Sequence, residues 1–357
     1  VDREHIILRE VVEGHIDTGE AVGSKAVSVR LRNSLSSASI RAVMATLVDQ
    51  GLLAQPHTSA GRVPTDRGYR EYLDAVLGPT SVKPRDRQKL DGLRFRDGLS
   101  PVDLMRAAAG AAASELGVAA LVIVPKLEAS VLQRMELVWL GPGRTLVVAV
   151  TDAGLVHERL LTVGREVTAS DLEKFTNYLN SLLPGRSLAD VRRAIEAAQL
   201  EDHDLLEKKA LELGQRAFEG DQTNSAAEVL LEGTSRVLAQ REFSEVPERA
   251  SELMRAFEER IMWLDLLDAV QATADTRVYV GAEVPTPGLQ ACGLVVTRFA
   301  VGKALGVVAL FGPKRLDYRR AIPLVGHVGR RLGELLQGDL DGPPVALGPA
   351  APALQGH

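Results

Sequence analysis

Ser36-Ser37-Ala38-Ser39-Ile40-Arg41 opens, and Pro56-His57-Thr58-Ser59-Ala60-Gly61-Arg62-Val63-Pro64-Thr65 closes, the stretch that decides the first domain. Ser36 or Ser37 can cap a helix, because a serine hydroxyl accepts from an orphan N–H of the first turn. Ile40, Val43, Met44 and Leu47 follow at three- and four-residue spacing and form one apolar stripe. Gly51 ends the helix as a residue free to adopt positive φ. Leu52–Pro56 and Arg62–Pro64 then pair around a tip of His57, Thr58, Ser59, Ala60 and Gly61. A capped helix followed at once by a polar hairpin suits a helix that reads a groove with a wing beside it.

Upstream, residues 3–17 read as a helix with Leu8, Val11, Val12 and Ile16 on one side, and Gly19 breaks it. Ser24 caps a short second helix carrying Ala26, Val27 and Leu31. Three helices and a hairpin in this space make the winged form of helix-turn-helix. Facing away from the apolar stripe of the third helix are Ser37, Ser39, Arg41, Ala42 and Ala45. Arg41 can fork onto guanine O6 and N7 or grip a phosphate, and the alanines allow close approach to a thymine methyl. Arg62 can follow the backbone or enter the minor groove from the tip. Thr65 caps the next helix, with Asp66 in its first turn.

Length and charge limit the rest. At 357 residues, 45% hydrophobic and 25% charged, the chain holds two or three globular domains. Aromatics are 4%, too few for a stacking surface on single strands. Net charge is −5, so any nucleic-acid site is local. It is local: Lys25, Arg30, Arg32, Arg41, Arg62, Arg67 and Arg70 face only Asp49 and Asp66 over that span, while the first helix is acidic. On charge alone an ordinary mosaic explains this equally well. Cys292 is the single cysteine, which excludes disulfides and cysteine-based zinc sites and fits a reducing cytoplasm. No apolar run is long enough for a membrane span, and the charged first helix is no signal peptide.

Gly78-Pro79-Thr80-Ser81-Val82-Lys83-Pro84-Arg85 is a linker by composition. A charged helix follows near 86–94, then an Ala-rich helix over 101–116. Val118–Val124, Val131–Leu140, Thr145–Thr151 and Leu155–Leu161 read as one antiparallel meander packed on that helix, hence α+β. Met135, Leu137 and Trp139 point inward there, Arg134 and Glu136 outward. After Val163 the pattern turns helical, with Leu172, Phe175, Leu179 and Leu182 on one face and a capping box at Ser187–Asp190. The apolar faces of this block have two possible partners, the chain's own sheet or a second copy. Residues 226–270 continue helical in pattern, with Leu230, Leu231, Leu253, Phe257, Ile261, Leu264 and Leu267 as its apolar positions. Strands return at 277–281, 290–299 and 304–311, then a helix from Ile322 to Leu336. Residues 338–357 have the Gly/Pro/Ala-rich composition of a disordered tail.

Gly19-Glu20-Ala21-Val22-Gly23-Ser24-Lys25, Leu35-Ser36-Ser37-Ala38-Ser39-Ile40-Arg41 and Gln55-Pro56-His57-Thr58-Ser59-Ala60-Gly61-Arg62-Val63-Pro64-Thr65-Asp66-Arg67-Gly68-Tyr69 closely resemble HrcA, the bacterial heat-inducible transcription repressor family. The last string has almost no generic explanation. Arg134–Val138 and Gly306–Tyr318 extend the resemblance, which covers nearly all of 3–337. The family usually has Pro where Ala21 stands and often Asn where Ala42 stands, so Ala42 removes a possible reader of adenine.

The resemblance implies an α+β multidomain chain. Residues 1–77 are a winged-helix DNA-binding domain and 78–90 a linker. A GAF-like domain with an antiparallel sheet takes 91–163 and 226–337, and an inserted helical dimerising domain takes 164–225. Ser24, Lys25, Ser37, Ser39, Arg41, Ala42, His57, Thr58, Ser59, Arg62 and Arg67 then meet DNA, and Leu172, Phe175, Leu179 and Leu182 meet a second copy. The implied partners are an inverted-repeat operator in double-stranded DNA, a homodimer mate and the chaperonin that maintains the repressor, with no membrane and no cofactor. The localisation implied is cytoplasmic, at the nucleoid when on operator.

Two other classes are weighed against this. A small molecule bound in the GAF-like domain could control the regulator instead. An enzyme lacks support: Gly141-Pro142-Gly143 is a turn rather than a phosphate loop, His157-Glu158 and His203-Asp204 are sequence neighbours that point apart, and His57 and Ser59 sit on a hairpin tip with no orienting acid. No His, Cys or carboxylate cluster has metal-ligand spacing.

Overall fold

A computed structural model describes residues 2–57, 60–77, 80–92, 100–125, 130–198, 205–218, 228–258, 263, 276–285, 288–302 and 304–338. The expected tail beyond 338, the hairpin-tip residues Thr58 and Ser59, and the apolar positions Ile261, Leu264 and Leu267 lie outside them.

The chain opens with α1 (Arg3–Thr18), α2 (Ser24–Arg30) and α3 (Ser37–Asp49), followed by β1 (Leu53–Ala54), β2 (Val63–Pro64) and α4 (Asp66–Glu71), which runs on as a wider turn over Tyr72–Val76. Asp2 caps α1, and Gly19 closes it at φ 72° with its N–H on the His15 carbonyl. Ile7, Leu8, Val11 and Val12 meet Val27, Ile40, Met44 and Leu47 in one core. α5 (Pro84–Asp91) and α6 (Pro101–Leu116) lead into the body. Ser100 and Asp103 form a full capping box on α6, as the Ser-Pro start of that helix permits.

Then come β3 (Ala119–Ile123), β4 (Leu132–Trp139), β5 (Arg144–Thr151), β6 (Val156–Thr162), α7 (Ala169–Ser181), α8 (Leu188–Ala198), α9 (Leu205–Phe218), β7 (Val229–Glu232), α10 (Thr234–Leu238), α11 (Arg241–Ser244), α12 (Pro247–Glu258), β8 (Arg277–Val280), β9 (Cys292–Val301), β10 (Ala304–Pro313) and α13 (Tyr318–Gly338). The strands make three sheets: the hairpin β1-β2, a five-stranded sheet β7-β3-β10-β9-β8 and a three-stranded sheet β4-β5-β6. Every pairing is antiparallel.

The five-stranded sheet is covered on both sides. Ala120, Val122, Val308 and Leu310 face α6, α13 and the N-terminal helices, while Leu121, Ile123, Val307, Ala309 and Phe311 face Phe243, Leu253 and Trp263. Double burial explains the unbroken apolar run of β3. It also corrects the helical reading of 226–270 at its start. Leu230 and Leu231 are successive residues of an edge strand, one turned to each core, and not one helical face.

The four-stranded meander expected over 118–161 is two separate sheets. β3 belongs to the five-stranded sheet, and β4 to β6 form their own. Leu132, Met135, Leu137, Val147 and Ala149 share a core with Leu172, Phe175, Leu179, Leu188, Val191 and Ile195. β4 to β6, which the reading above gave to the GAF-like domain, share this core with α7, α8 and α9. Leu172, Phe175 and Leu179 are almost fully buried against this sheet and α9 within one chain. Of the two partners open to that stripe, the chain's own sheet is the one it contacts. Asn180 fastens α7 down, accepting from the Met135 N–H at 2.8 Å and donating to the Met135 carbonyl at 2.7 Å. Trp139, expected inward, is 45% exposed at the strand's end.

Candidate nucleic-acid interface

The Ser36 hydroxyl accepts from the Ser39 N–H at 3.1 Å and caps α3. Ile40, Met44 and Leu47 are buried beneath it. That fixes the outward face: Ala38, Ser39, Arg41, Ala42, Ala45 and Thr46 are exposed. Ala38 and Thr46 were missed in the sequence, although their spacing from Ala42 places them on the same stripe. Ser37 is half-buried, and its hydroxyl lies 2.9 Å from that of Ser24. The pair joins the starts of α2 and α3, so Ser37 orients the helix more than it reads. Lys25 and the 64%-exposed Val29 stand on the outer side of α2. Arg32 and Asn33 take positive φ, 51° and 58°, in the turn between the helices.

A single antiparallel bridge ties the hairpin to the segment before α2. Val22 donates to the Arg62 carbonyl at 2.8 Å, and Arg62 donates back to the Val22 carbonyl at 2.9 Å. The hairpin is thus pinned to the segment leading into α2. Gly61 permits this, since a Cβ there would lie 2.5 Å from the Val22 carbonyl carbon. Gly68 does the same for α4, where a Cβ would stand 2.0 Å from the Leu52 carbonyl oxygen. Gly61 and Gly68 are thus places where one backbone touches another. His57 is exposed, and Ala60 donates to its carbonyl across the tip at 2.9 Å.

Not every basic residue in the cluster is available. Arg30 bonds Glu10 at 2.9 Å and Asp17 at 2.8 Å, with Glu13 at 3.7 Å. Arg70 is engaged by Glu283 and Asp74. Arg67 is exposed but stands beside Gly51, at the C-terminal end of α3, in a hollow shared with Glu4, Gln50 and Glu71. Lys25 and Arg41 are exposed on the side bearing the N-terminal half of α3. Among the described residues no His/Cys/Asp/Glu group could hold a metal, and no helix is long and apolar enough to cross a membrane.

Below this head lies the body, and the class of protein is defined there. The family model described as the HrcA protein C terminal domain matches residues 102–322. Over 342 residues the chain is 33% identical to the heat-inducible transcription repressor HrcA of Geobacter sulfurreducens, covering 95% of this chain and 98% of that protein. It is 35% identical over 343 residues to the heat-inducible transcription repressor HrcA of Gluconobacter oxydans, covering 94% of each. A crystal structure described as that of a hypothetical protein shares the fold at a TM-score of 0.62, with 20% identity over 95% of this chain and 99% of that one. The chain belongs to the HrcA family of heat-inducible transcription repressors. Members of this kind regulate transcription and are not enzymes.

Proposed function

We propose that the head is a winged helix which lays α3 in the major groove of an operator, with the hairpin beside it. The observation that carries this is the capped, outward face of α3 next to a hairpin locked to Val22. Arg41 supplies a base or phosphate contact, Lys25 and Arg62 supply phosphate contacts, and Ala42 and Ala45 allow close approach. Ser24, Ser37 and Ser39 hold the helix starts in register.

Two heads are needed for an inverted repeat, and a second copy is the mate in this reading. The surface that supports it is the open side of the three-stranded sheet. Its rows run Val138, Leu146, Leu160 and Arg134, Val150, Val156 across the strands. Val138, Val156 and Leu160 are 43%, 54% and 59% exposed. The stripe of Leu172, Phe175 and Leu179 contributes by holding that sheet flat from behind. Until a mate covers them, such aliphatics are also what a chaperonin binds, which fits maintenance of the active form by chaperonin in the cytoplasm. Warming that opens this marginal contact separates the heads and releases the operator. Footprinting on the promoter of the chain's own chaperone operon, across temperature and without chaperonin, tests the reading. Protection of both half-sites that disappears on warming is expected, and full affinity through derepression would sink the mechanism.

A second reading has one observation behind it. The five-stranded sheet between helical layers supports a GAF-like reading, and a groove of about 460 Å³ beside α13 is lined by Thr276, Thr297, Arg298 and Arg330, with Glu334 among them. An anionic metabolite suits that lining. Isothermal titration with such metabolites, followed by operator release, distinguishes the two.

A further inference from the structure

Asp66 lies in the string from Gln55 to Tyr69 that carries the family resemblance and Arg70 directly follows it, yet both turn toward the body. Asp66 accepts from Lys314 Nζ at 2.6 Å with one oxygen and from the Ala282 N–H at 3.1 Å with the other. Arg70 Nε donates to Glu283 Oε1 at 2.9 Å, and its Nη2 donates to the Val278 carbonyl at 2.7 Å. The body's side of this contact is shaped for it. Glu283 accepts from the Val280 N–H at 3.0 Å, which closes a tight turn. Gly281 in that turn has φ +60°, and a Cβ on it would stand 2.0 Å from an Asp66 carboxylate oxygen. Only a glycine lets the turn come this close.

Between these polar contacts lies a dry layer. Tyr69, Tyr72 and Tyr318 are 2%, 0% and 0% exposed, with Tyr69 and Tyr318 edge to face at 6.1 Å. Apolar burial glues surfaces together but is non-directional. A guanidinium forked onto a carboxylate, and a carboxylate held by an ammonium and a backbone N–H, are directional. Flanking pairs Glu13–Arg319 at 3.1 Å and Glu20–Arg241 at 3.3 Å lie farther out on the same seam. The head is therefore joined to the body in one orientation, although a linker of Pro, Ser and Thr connects them in sequence.

We infer that Asp66 and Arg70 are positioning residues which, through Lys314 and Glu283, fix the direction of each head and so set the half-site spacing that the dimer accepts. This rests on the reading of the chain as a dimer on an inverted repeat. Heads on free linkers would engage a range of spacings, with an effective concentration that varies smoothly with distance. Heads fixed to a body accept only spacings that return the groove to the same side of the duplex. The residues that choose among operators by spacing then differ from those that read bases.

The test uses the full chain with Glu283→Gln and Lys314→Gln together, which leaves the head's sequence intact. Affinity is measured for a single half-site and for inverted repeats whose spacer grows one base pair at a time through a helical turn. The wild type should show a sharp optimum. In the double variant the ratio of best to worst spacer should fall by about tenfold, while single half-site affinity stays within about twofold. Lys314→Arg, which keeps the charge, should keep the optimum. If the double variant melts below the assay temperature, Glu283→Gln alone serves. A spin label at His57→Cys should report a broader distance between heads in the DNA-free variant than in the wild type. A sharp wild-type optimum that survives in the variant overturns the inference alone, as does an equal loss on half-site and full operator. A wild type with no sharp optimum also overturns the inference alone, whereas a wild type that binds every repeat no tighter than a single half-site overturns the dimer reading and the inference with it.

Discussion

A Cβ added to Gly61 would stand 2.5 Å from both the carbonyl carbon and the carbonyl oxygen of Val22. Val22 and Arg62 exchange backbone hydrogen bonds beside this contact, so neither segment can retreat without losing the bridge. Gly61→Ala should cost the head about 1–3 kcal/mol, the range of other overpacked contacts. Operator affinity should fall along with it. Thermal melting with gel shift on the same preparation checks this, and a variant that melts and binds like the wild type would remove the pinned wing from the account.

Arg41 and Arg62 should fail differently. Arg41→Ala is expected to cost roughly 1–3 kcal/mol on operator and to flatten the preference for one base. Arg62→Ala should weaken all DNA about equally and lower the salt slope by about one. Binding isotherms over a salt series on operator and on random duplex separate the two. Coincident isotherms for all three proteins, on operator and on random duplex at every salt concentration, would return both arginines to ordinary surface roles.

Much of the head was legible in the sequence because its signals are local. The cap at Ser36, the stripe from Ile40 to Leu47 and the cap at Thr65 each depend on residues within one or two turns, and each appears as expected. What was not legible depended on distant partners. Val118–Val124 is apolar throughout and Val131–Leu140 alternates, yet neither pattern says which strand lies alongside, and the two join different sheets. The stripe from Leu172 to Leu182 shows the same ambiguity. Its spacing announces burial, and only the fold shows that β4 lies against it. Arg30, Arg70 and Asp66 look like parts of a charged DNA surface until their partners at Glu10, Asp17, Glu283 and Lys314 are known.

Assembly and stability should be separable in the inserted unit. Leu160→Glu changes a 59%-exposed side chain on the open sheet face, so the chain should stay folded and lose its mate. Phe175→Ala empties a packed core position and should cost about 3–5 kcal/mol of stability. Sedimentation and urea unfolding read the two effects. A Leu160→Glu protein that remains dimeric would direct the search to another surface.

Asp86 is 3% exposed, and both its carboxylate oxygens accept from the Arg320 guanidinium, each at 3.1 Å. The pair joins α5, just after the linker, to the long closing helix. Asp86→Ala leaves a largely buried guanidinium without its partner and should cost about 3–5 kcal/mol. Asp86→Asn, which keeps an acceptor, should cost less. Denaturant unfolding of both variants decides, and equal small losses would mean that water replaces the carboxylate.

Acid should act on the helix starts. The Ser187 hydroxyl, with Arg193 and the Ser187 N–H adding to it, holds the Asp190 carboxyl at about 2. A carboxyl lowered on folding contributes stability that is fully present above its unfolded value of about 3.9 and is lost as pH falls through the folded one. Urea midpoints should therefore decline from about pH 4 toward pH 2. Asp190→Asn should flatten part of that decline while lowering the midpoint at neutral pH. A variant with the wild type's acid profile would assign the decline to other carboxylates.

The chain leaves the five-stranded sheet at Val124 and rejoins it at Glu228, and the Val124 N–H donates to the Glu228 carbonyl at 2.8 Å. Ile123 and Val229 are partners across the same antiparallel pair. With everything between them removed, the two strands would still be a hairpin awaiting a short turn. The unit between them is thus threaded through one edge of the sheet, with Ala153 and Leu155 of its β5–β6 turn packed into the main core, and a host sheet of this design accepts, loses or exchanges it without re-threading a strand. On the dimer reading proposed above, the number of heads brought to DNA changes in evolution by replacing one module, while the sequence of the head stays as it was.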